Sequence, residues 1–163
     1  MIYIDIDGVL ADFDGYLQTK NPEALKDTHT LFKTIYKNYE EAFAVSQPLV
    51  DLNFLKDIDE FTLLTALPNK NNIGSFTEDV DLVMSTLESN KRKWVKEKIG
   101  DCNLIILELR ADKSKYCKSP DDVLIDDNKD TGKKWKEKGG KYFTTVEQFL
   151  NSGNKKAVKV DLF

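Results

Sequence analysis

The sequence predicts an α/β fold in which helices cover both faces of a parallel sheet. Three observations predict this fold. Short apolar segments rich in β-branched and aliphatic residues recur along the chain, helical segments lie between them, and acidic or hydroxyl residues directly follow several of the apolar segments. Alternation of short buried strands with helices is typical of a parallel sheet covered on both faces. With 163 residues and 18.7 kDa, the chain has the size of one such domain.

Five segments are predicted as strands because of their β-branched and aliphatic composition. They are Met1–Ile6, Phe61–Thr65, Asn103–Leu109, Asp122–Ile125 and Tyr142–Phe143. After a loop at residues 151–156, Ala157–Phe163 is predicted as a last strand or a tail. In a parallel sheet the ligand site lies at the carboxyl ends of the strands, so the residues that follow each predicted strand are the candidates for function.

Helices are predicted between the strands from the spacing of apolar residues and from glycines that end helices. The predicted helices are Glu78–Leu87, Lys91–Ile99, Thr131–Lys138 and Thr145–Leu150. Gly100 follows the second of them and Gly139 follows the third, as expected for glycines at helix ends.

Residues 14–60 interrupt the alternation of strands and helices. Pro22–Leu25 is predicted to start a helix, Leu31–Phe43 is an amphipathic stretch, and Pro48 is predicted to end the helical part. We therefore expect a small helical cap at residues 14–60, inserted after the first strand. The core is expected to comprise residues 1–13 and 61–163.

Composition narrows the class of protein. Hydrophobic residues make up 40% of the chain and charged residues 32%, as is typical of a soluble globular domain. No apolar run approaches the roughly 18–20 residues of a membrane-spanning helix, and no signal-peptide pattern is present. The two cysteines are too few for a disulfide framework. A reduced, cytoplasmic location without membrane association is therefore expected.

The charge is distributed unevenly. Residues 1–90 carry a net charge of −10 and residues 91–163 a net charge of +6. The basic second half either attracts an anionic substrate or solvates helix faces. Because the chain has no arginine-rich basic stripe, no stable complex with a nucleic acid is expected.

The chain lacks the residues for several common hydrolytic mechanisms. Its one histidine, His29, lies in a polar stretch and is expected at the surface, so a serine triad and a histidine-rich zinc site are both excluded. Neither cysteine is followed six residues later by arginine, and no glycine-rich nucleotide motif is present. Carboxylates and lysines remain, which favours metal and phosphate chemistry.

The first predicted strand ends in the motif Asp5-Ile6-Asp7-Gly8. In an extended chain Asp5 and Asp7 share one face, and a turn at Gly8 would direct both side chains into the crevice at the strand ends. Two neighbouring carboxylates suit a division of roles. One of them, ionised and metal-bound, can attack phosphorus, and the other can keep a proton for the leaving oxygen.

A second acidic pair, Asp126 and Asp127, follows the apolar strand Val123–Ile125. Mg²⁺ binds oxygen ligands and commonly takes one or two protein carboxylates. Asp5, Asp127 and the main-chain carbonyl of Asp7 would form such a ligand set. Asp126 would act through a water molecule or behind the direct ligands.

Thr65, Ala66 and a lysine are the candidates for binding phosphoryl oxygens. Thr65 ends the second predicted strand, and its hydroxyl group and the adjacent backbone N–H groups could hold the oxygens. Lys113 and Lys115 both follow the third predicted strand, and either could neutralise the phosphoryl group. The residues alone leave the choice between these two lysines open.

Four motifs in this order resemble those of the haloacid dehalogenase superfamily of phosphohydrolases. They are Asp5–Asp12, Leu63–Thr65, Lys113 and Leu124–Asp127. Further features resemble the 5′(3′)-deoxyribonucleotidase branch of that superfamily. These are the Val-Leu-Ala-Asp-Phe sequence ending at Phe13, Leu64–Pro68, Lys91-x-x-Trp94 with Ile99–Gly100, Asp112–Tyr116, and Trp135 leading to Gly139–Gly140.

The resemblance implies a three-layer Rossmann-like core with a small helical cap. It also implies that Asp5 is the nucleophile that becomes phosphorylated and that Asp7 is the general acid and then the base. Thr65 and Lys113 would bind the phosphate. Asp5, the Asp7 carbonyl and Asp127 would hold Mg²⁺.

The expected substrate is a small phosphate ester, with a deoxynucleoside monophosphate favoured. Phe13, Phe43 and Tyr16 are the first candidates for contacts to the base, against the alternative that they form the core of the cap. A phosphatase for a sugar phosphate or another metabolite is one alternative function, and a noncatalytic nucleotide-binding module is another. The tail after Gly153 matches nothing in the family.

Overall fold

A five-stranded parallel sheet forms the centre of the molecule. The computed structural model describes residues 1–108 and 111–153. In these residues the strands are β1 (Ile2–Ile4), β2 (Ala11–Asp12), β3 (Gln47–Pro48), β4 (Phe61–Ala66), β5 (Asn103–Leu107), β6 (Val123–Ile125) and β7 (Lys141–Phe143). The sheet has the order β5-β4-β1-β6-β7 with all neighbours parallel, and β2 pairs with β3 in a separate antiparallel ribbon. The predicted α/β class is confirmed.

Helices flank the sheet and join its strands. The α-helices are α1 (Phe13–Lys20), α2 (Thr28–Lys37), α3 (Lys70–Gly74), α4 (Val80–Lys98), α5 (Lys129–Glu137) and α6 (Val146–Asn151), and two 3₁₀ helices span Leu52–Asp57 and Lys113–Tyr116. This arrangement is compatible with a Rossmann-like fold. Within residues 1–108 and 111–153, no helix has both the length and the apolar character that crossing a membrane requires.

The central strand β1 determines where a crevice forms. Ile4 of β1 is in register with Leu63 of β4 on one side and with Ile125 of β6 on the other, and all three side chains are fully buried. From β1 the chain builds β4 and β5 on one side and then returns to build β6 and β7 on the other. The direction of the strand order therefore changes beside β1. In open α/β sheets, ligands bind at such a point, outside the carboxyl ends of the strands.

The helical segment between β1 and β4, residues 14–60, packs in an apolar cluster that is separate from the core around β1. Leu17, Ile35 and Phe43 are buried there together with Ile73 of α3 and Leu87 of α4. β2 precedes α1 and β3 follows α2, so the antiparallel ribbon brings the two ends of this segment side by side. The segment therefore packs as a unit against the region that follows β4.

The structure corrects the prediction of two helices before β5. The sequence predicts Glu78–Leu87 and Lys91–Ile99 as separate helices, whereas α4 is continuous. No glycine or proline interrupts residues 88–90. Asn90 does not end a helix, because its side-chain amide donates to the carbonyls of Tyr39 and Glu40 outside α4.

The helical segment contains less helix than predicted. Pro22–Leu25 forms a turn, and α2 begins only at Thr28. The predicted amphipathic helix Leu31–Phe43 is helical only as far as Lys37. Asn38 follows with a non-helical backbone, and its side-chain amide donates to a carbonyl one turn earlier (2.8 Å). The chain then continues in turns, so Phe43 does not lie on the face of a helix as predicted.

The remaining predicted strands and helices agree with the structure to within about two residues. β1 ends at Ile4, two residues before the predicted end of the first strand. Leu109, the predicted end of the third strand, and the predicted last strand or tail Ala157–Phe163 lie outside the described residues. His29 is exposed, as expected.

Candidate active site

The loop after β1 brings two aspartates to one cavity. The backbone N–H of Asp5 donates to the carbonyl of Ile125 (2.9 Å), so Asp5 continues the register of β1 with β6. Gly8 then adopts a φ of +79°, a left-handed conformation that glycine adopts without steric cost. The backbone N–H groups of the three residues after Gly8 all donate to the carbonyl of Ile6. The tight turn leaves both Asp5 and Asp7 in the wall of the same cavity.

The second acidic pair is fixed between β6 and α5. The N–H of Asp126 donates to the carbonyl of Phe143 (3.0 Å), and Oδ1 of Asp126 accepts from the N–H of Asn128 (2.8 Å). The side chain of Asn128 in turn accepts from N–H groups in the first turn of α5. Asp126 is buried with 1% exposure, whereas Asp127 is exposed.

Asp5, Asp126 and Asp127 form a group that we call the acid triad. One carboxylate oxygen of each residue lies within 4.8 Å of the other two. Although Asp127 as a residue is exposed, its carboxylate is partly desolvated in the cavity wall, and this desolvation together with the charge of Asp5 raises its pKa to about 6. Burial and the charge of Asp5 also raise the pKa of Asp126. A divalent cation would offset the repulsion between these neighbouring carboxylates, and carboxylate oxygens are suitable ligands for Mg²⁺. The residues present therefore fit a hard divalent cation.

Lys113 supplies a buried positive charge beside the acid triad. Its Nζ donates to Oδ2 of Asp126 (2.7 Å) and lies 3.4 Å from Oδ1 of Asp5. Burial acts to lower the pKa of Lys113, but Asp5 and Asp126 raise it above its ordinary value, so the side chain stays charged. Lys115 is exposed and lies over the ring of Tyr116 (5.5 Å). Of these two lysines, Lys113 is the one that lines the cavity.

A second buried lysine, Lys91, joins Asp7 to the end of β4. Its Nζ donates to Oδ2 of Asp7 (2.5 Å), to Oγ1 of Thr65 (3.0 Å) and to the carbonyl of Ala66 (2.6 Å). Burial raises the pKa of Asp7 even though Lys91 acts to lower it. Lys91 therefore fixes the side chain of Asp7 relative to the strand end that carries Thr65.

Lys91 belongs to the helix motif Lys91-x-x-Trp94 of the sequence but is not among the predicted site residues. A signal was present, because Lys91 lies between Leu87 and Trp94 on the apolar side of α4. Both neighbours are almost completely buried, and Lys91 itself is 1% exposed. A lysine at such a position needs a buried partner of opposite charge.

Phe13 and Phe43 line an apolar cleft beside the cavity. Their rings stack on each other with centroids 4.1 Å apart, and Tyr16 stacks on Phe13 at 6.0 Å. The cleft has a volume of about 210 Å³, and Asp7 is also part of its wall. Since the two phenylalanine rings are already in contact, no flat ligand fits between them. A ligand in the cleft would contact their edges or outer faces.

One cavity of about 310 Å³ unites most of the predicted site residues. Its wall includes Asp5, Asp7, Thr65, Ala66, Lys113, Asp126 and Asp127. Asp7 and Ala66 line both this cavity and the apolar cleft, so the two spaces adjoin. The combination suits a ligand that has an anionic end and an apolar end.

Comparison of the chain with protein-family models finds no match, and comparison with curated proteins finds none either. The fold and the site define the molecule as an α/β protein with an acidic crevice, suited to a divalent cation, at the carboxyl ends of its strands.

Replacement of Gly8 by alanine is expected to disturb the acid triad. A Cβ at Gly8 would lie 2.2 Å from Oδ2 of Asp127, and its φ of +79° is strained for alanine. We expect the free energy of unfolding to fall by about 1–3 kcal/mol. If the acid triad holds Mg²⁺, the displacement of Asp127 should also lower the affinity for Mg²⁺ by about tenfold or more. Thermal denaturation and titration calorimetry with Mg²⁺ measure the two effects.

Gly100→Ala is the matched control for this prediction. Gly100 also has a positive φ, of +101°, but an added Cβ would have no atom within 4 Å. This variant should lose stability and keep its Mg²⁺ affinity. If Gly8→Ala also kept wild-type Mg²⁺ affinity, Asp127 would not be a ligand.

Proposed function

We propose that the protein is a Mg²⁺-dependent phosphomonoesterase of the haloacid dehalogenase type. The observation that carries this proposal is the meeting of the acid triad, Lys113 and Thr65 around one cavity, at the ends of strands that are far apart in the sequence. Four carboxylates, including that of Asp7, face two buried ammonium groups. The carboxylates of Asp5 and Asp126 are buried, and so many like charges close together are costly in a purely structural role. They suit a site that binds a cation and transfers a phosphoryl group.

In this proposal Asp5 and Asp127 are the direct side-chain ligands of Mg²⁺, and the main-chain carbonyl of Asp7 completes the protein's ligand set. Asp126 acts mainly through Lys113, because its two oxygens already accept bonds from Lys113 and from the N–H of Asn128. The bound cation would neutralise charge on the phosphoryl group and hold that group next to Asp5.

Asp5 is the nucleophile in the proposed reaction. Its Oδ1 accepts the N–H of Ile6 (2.8 Å), which orients the carboxylate. An oxygen of Asp5 attacks the phosphorus, the bond from phosphorus to the leaving oxygen breaks, and an aspartyl phosphate forms. Water then attacks the phosphorus, the bond to Asp5 breaks, and inorganic phosphate is released with the carboxylate regenerated.

Asp7 moves the protons in both halves of the reaction. It first gives a proton to the leaving oxygen and later takes one from the attacking water. Lys91 holds Asp7 in place for both transfers. Thr65 accepts a bond from Lys91 at its hydroxyl oxygen, so its hydroxyl hydrogen can donate to a phosphoryl oxygen. Lys113 and the backbone N–H groups at Ala66 would bind the other phosphoryl oxygens.

The helical segment is proposed to be a small cap, at residues 14–60, that selects the substrate. It contributes Phe43 to the apolar cleft next to Asp7, and Phe13 at the start of α1 contributes the stacked ring. A deoxynucleoside monophosphate has both a phosphate for the polar cavity and a flat base for this cleft, and it is therefore the favoured substrate. A sugar phosphate would leave the cleft empty.

A substrate panel assayed with and without Mg²⁺ tests the proposal. The protein is expected to release phosphate from deoxynucleoside monophosphates in Mg²⁺, more slowly from deoxyribose 5-phosphate, and not at all in excess EDTA. Faster phosphate release from the sugar phosphate would show that the substrates are sugar phosphates and not nucleotides. Nucleotide binding without release would indicate a noncatalytic module, and activity that persists in EDTA would contradict a role for the metal.

A further inference from the structure

Side chains of helix α4 form hydrogen bonds to both ends of a non-helical turn of the helical segment, residues 39–46. The side-chain amide of Asn90 donates to two carbonyls at the start of this turn (2.9 and 3.3 Å), and the indole N–H of Trp94 donates to a carbonyl at its end (2.7 Å). We call residues 39–46 the aromatic turn. Asn90 and Trp94 flank Lys91 in α4, so the hydrogen bonds that fix the two ends of the turn come from either side of this lysine.

Phe43 lies inside the aromatic turn, and its ring covers the ammonium group of Lys91. The ring centroid is 4.3 Å from Nζ, which is a cation–π distance. Among the described residues, Phe43 is the only non-glycine residue with a positive φ, +70°. This backbone conformation is unfavourable for a bulky side chain. Strain of this kind persists only where the surrounding contacts enforce it, and it is concentrated at functional sites.

The ammonium group of Lys91 has its three hydrogens engaged. They are donated to Asp7, to Thr65 and to the carbonyl of Ala66, and the side chain is 1% exposed. The ammonium group of Lys91 therefore has no hydrogen left to donate to a phosphate group. It ties the side chain of Asp7 to the end of β4, and the ring of Phe43 covers this arrangement from the side of the helical segment.

We propose that Phe43 is a positioning residue that acts through Lys91. Its ring keeps water from the ammonium group, so that Lys91 stays bonded to Asp7 and Thr65 and Asp7 stays directed into the cavity. Phe43 also lines the apolar cleft, so a ligand there touches the same ring that covers Lys91. The catalytic consequence rests on the proposed function, whereas the effect on Lys91 does not.

Hydrogen exchange of the lysine ammonium group tests the effect on Lys91 directly. In ¹H–¹⁵N spectra, Lys91 is expected to give a slowly exchanging signal, identified by its loss in Lys91→Met. Phe43→Leu should accelerate this exchange by about tenfold or more, and Phe43→Tyr, which keeps a ring, should preserve slow exchange. If the leucine variant does not fold, Phe43→Met removes the ring with an unbranched, flexible side chain that adapts to the space.

Phe76→Leu is the matched control, because Phe76 is a half-buried ring that stacks on Tyr36 of the same helical segment. This variant should leave the Lys91 signal unchanged. Wild-type exchange rates in a folded Phe43 variant without a ring would overturn the proposal.

Steady-state kinetics separate positioning from ligand contact. With deoxyribose 5-phosphate, which has no base to reach the cleft, Phe43→Leu is expected to lower kcat by about tenfold with little change in KM. Phe43→Tyr, which keeps a ring over Lys91, should recover most of the kcat that Phe43→Leu loses. A change confined to KM for nucleotides would make Phe43 a ligand contact and overturn its positioning role. If the wild type hydrolyses no phosphate ester, the proposed function fails, and the exchange experiment still decides whether Phe43 protects Lys91.

Discussion

Substitution of Asp5 by asparagine is expected to reduce Mg²⁺-dependent phosphate release by on the order of 10⁴-fold or more. An amide oxygen is a poor nucleophile, so the variant loses the covalent step. The substitution hardly changes the shape of the side chain, and the amide oxygen can still accept the N–H of Ile6. Release of inorganic phosphate from a deoxynucleoside monophosphate measures the effect.

Stability measurements separate this loss from unfolding. Asp5→Asn removes one negative charge from the acid triad, so its melting temperature in EDTA should equal or exceed that of the wild type. Asp59→Asn makes the same chemical change at an exposed position and should keep full activity. Persistent turnover in pure Asp5→Asn protein would rule out Asp5 as the nucleophile.

Replacement of Lys113 by methionine is expected to reduce both stability and turnover. The ammonium group is buried between Asp5 and Asp126, and its removal leaves their charges without this partner. We expect the free energy of unfolding to fall by about 3 kcal/mol in EDTA. Added Mg²⁺ should restore part of this loss by binding the folded state. kcat should fall by about 100-fold, because the phosphoryl group loses a positive charge.

Lys115→Met is the control, because the sequence alone does not decide whether Lys113 or Lys115 binds the phosphoryl group. Lys115 is exposed and contacts the ring of Tyr116, so its replacement should leave kcat and the unfolding free energy close to wild type. Chemical denaturation and initial-rate assays of both variants give the comparison. A larger loss of activity in Lys115→Met than in Lys113→Met would reverse the assignment.

The meeting of the acidic residues could be predicted from the sequence, although the order of the strands could not. Asp5 and Asp126 each follow a short apolar strand, and Thr65 is the penultimate residue of another. Parallel strands have their carboxyl ends at one edge of a sheet whatever their order, so these residues had to lie at the same edge. The pairing of β1 with both β4 and β6, which brings them into one cavity, depends on contacts between distant segments.

The partners of Lys91 and the course of the aromatic turn could not be predicted from local patterns. The apolar spacing of α4 indicates that Lys91 is buried, but Asp7 and Thr65 reach its ammonium group only through tertiary packing. The apolar spacing of Leu31–Phe43 suggests that the helix continues, but Phe43 is directed by the hydrogen bonds of Asn90 and Trp94 to the turn. Those bonds connect residues about 50 positions apart, beyond the range of any local sequence signal.

The parallel pairing of β1 has a consequence for biosynthesis. This strand leaves the ribosome well before its partner β6, which is complete only at residue 125. Until then one hydrogen-bonding edge of a strongly apolar strand stays unsatisfied, which makes the nascent chain a candidate for chaperone binding. Asp126 and Asp127 emerge immediately after β6, so the acid triad is assembled when β6 pairs with β1, and chains that lack this pairing should not bind the proposed cation.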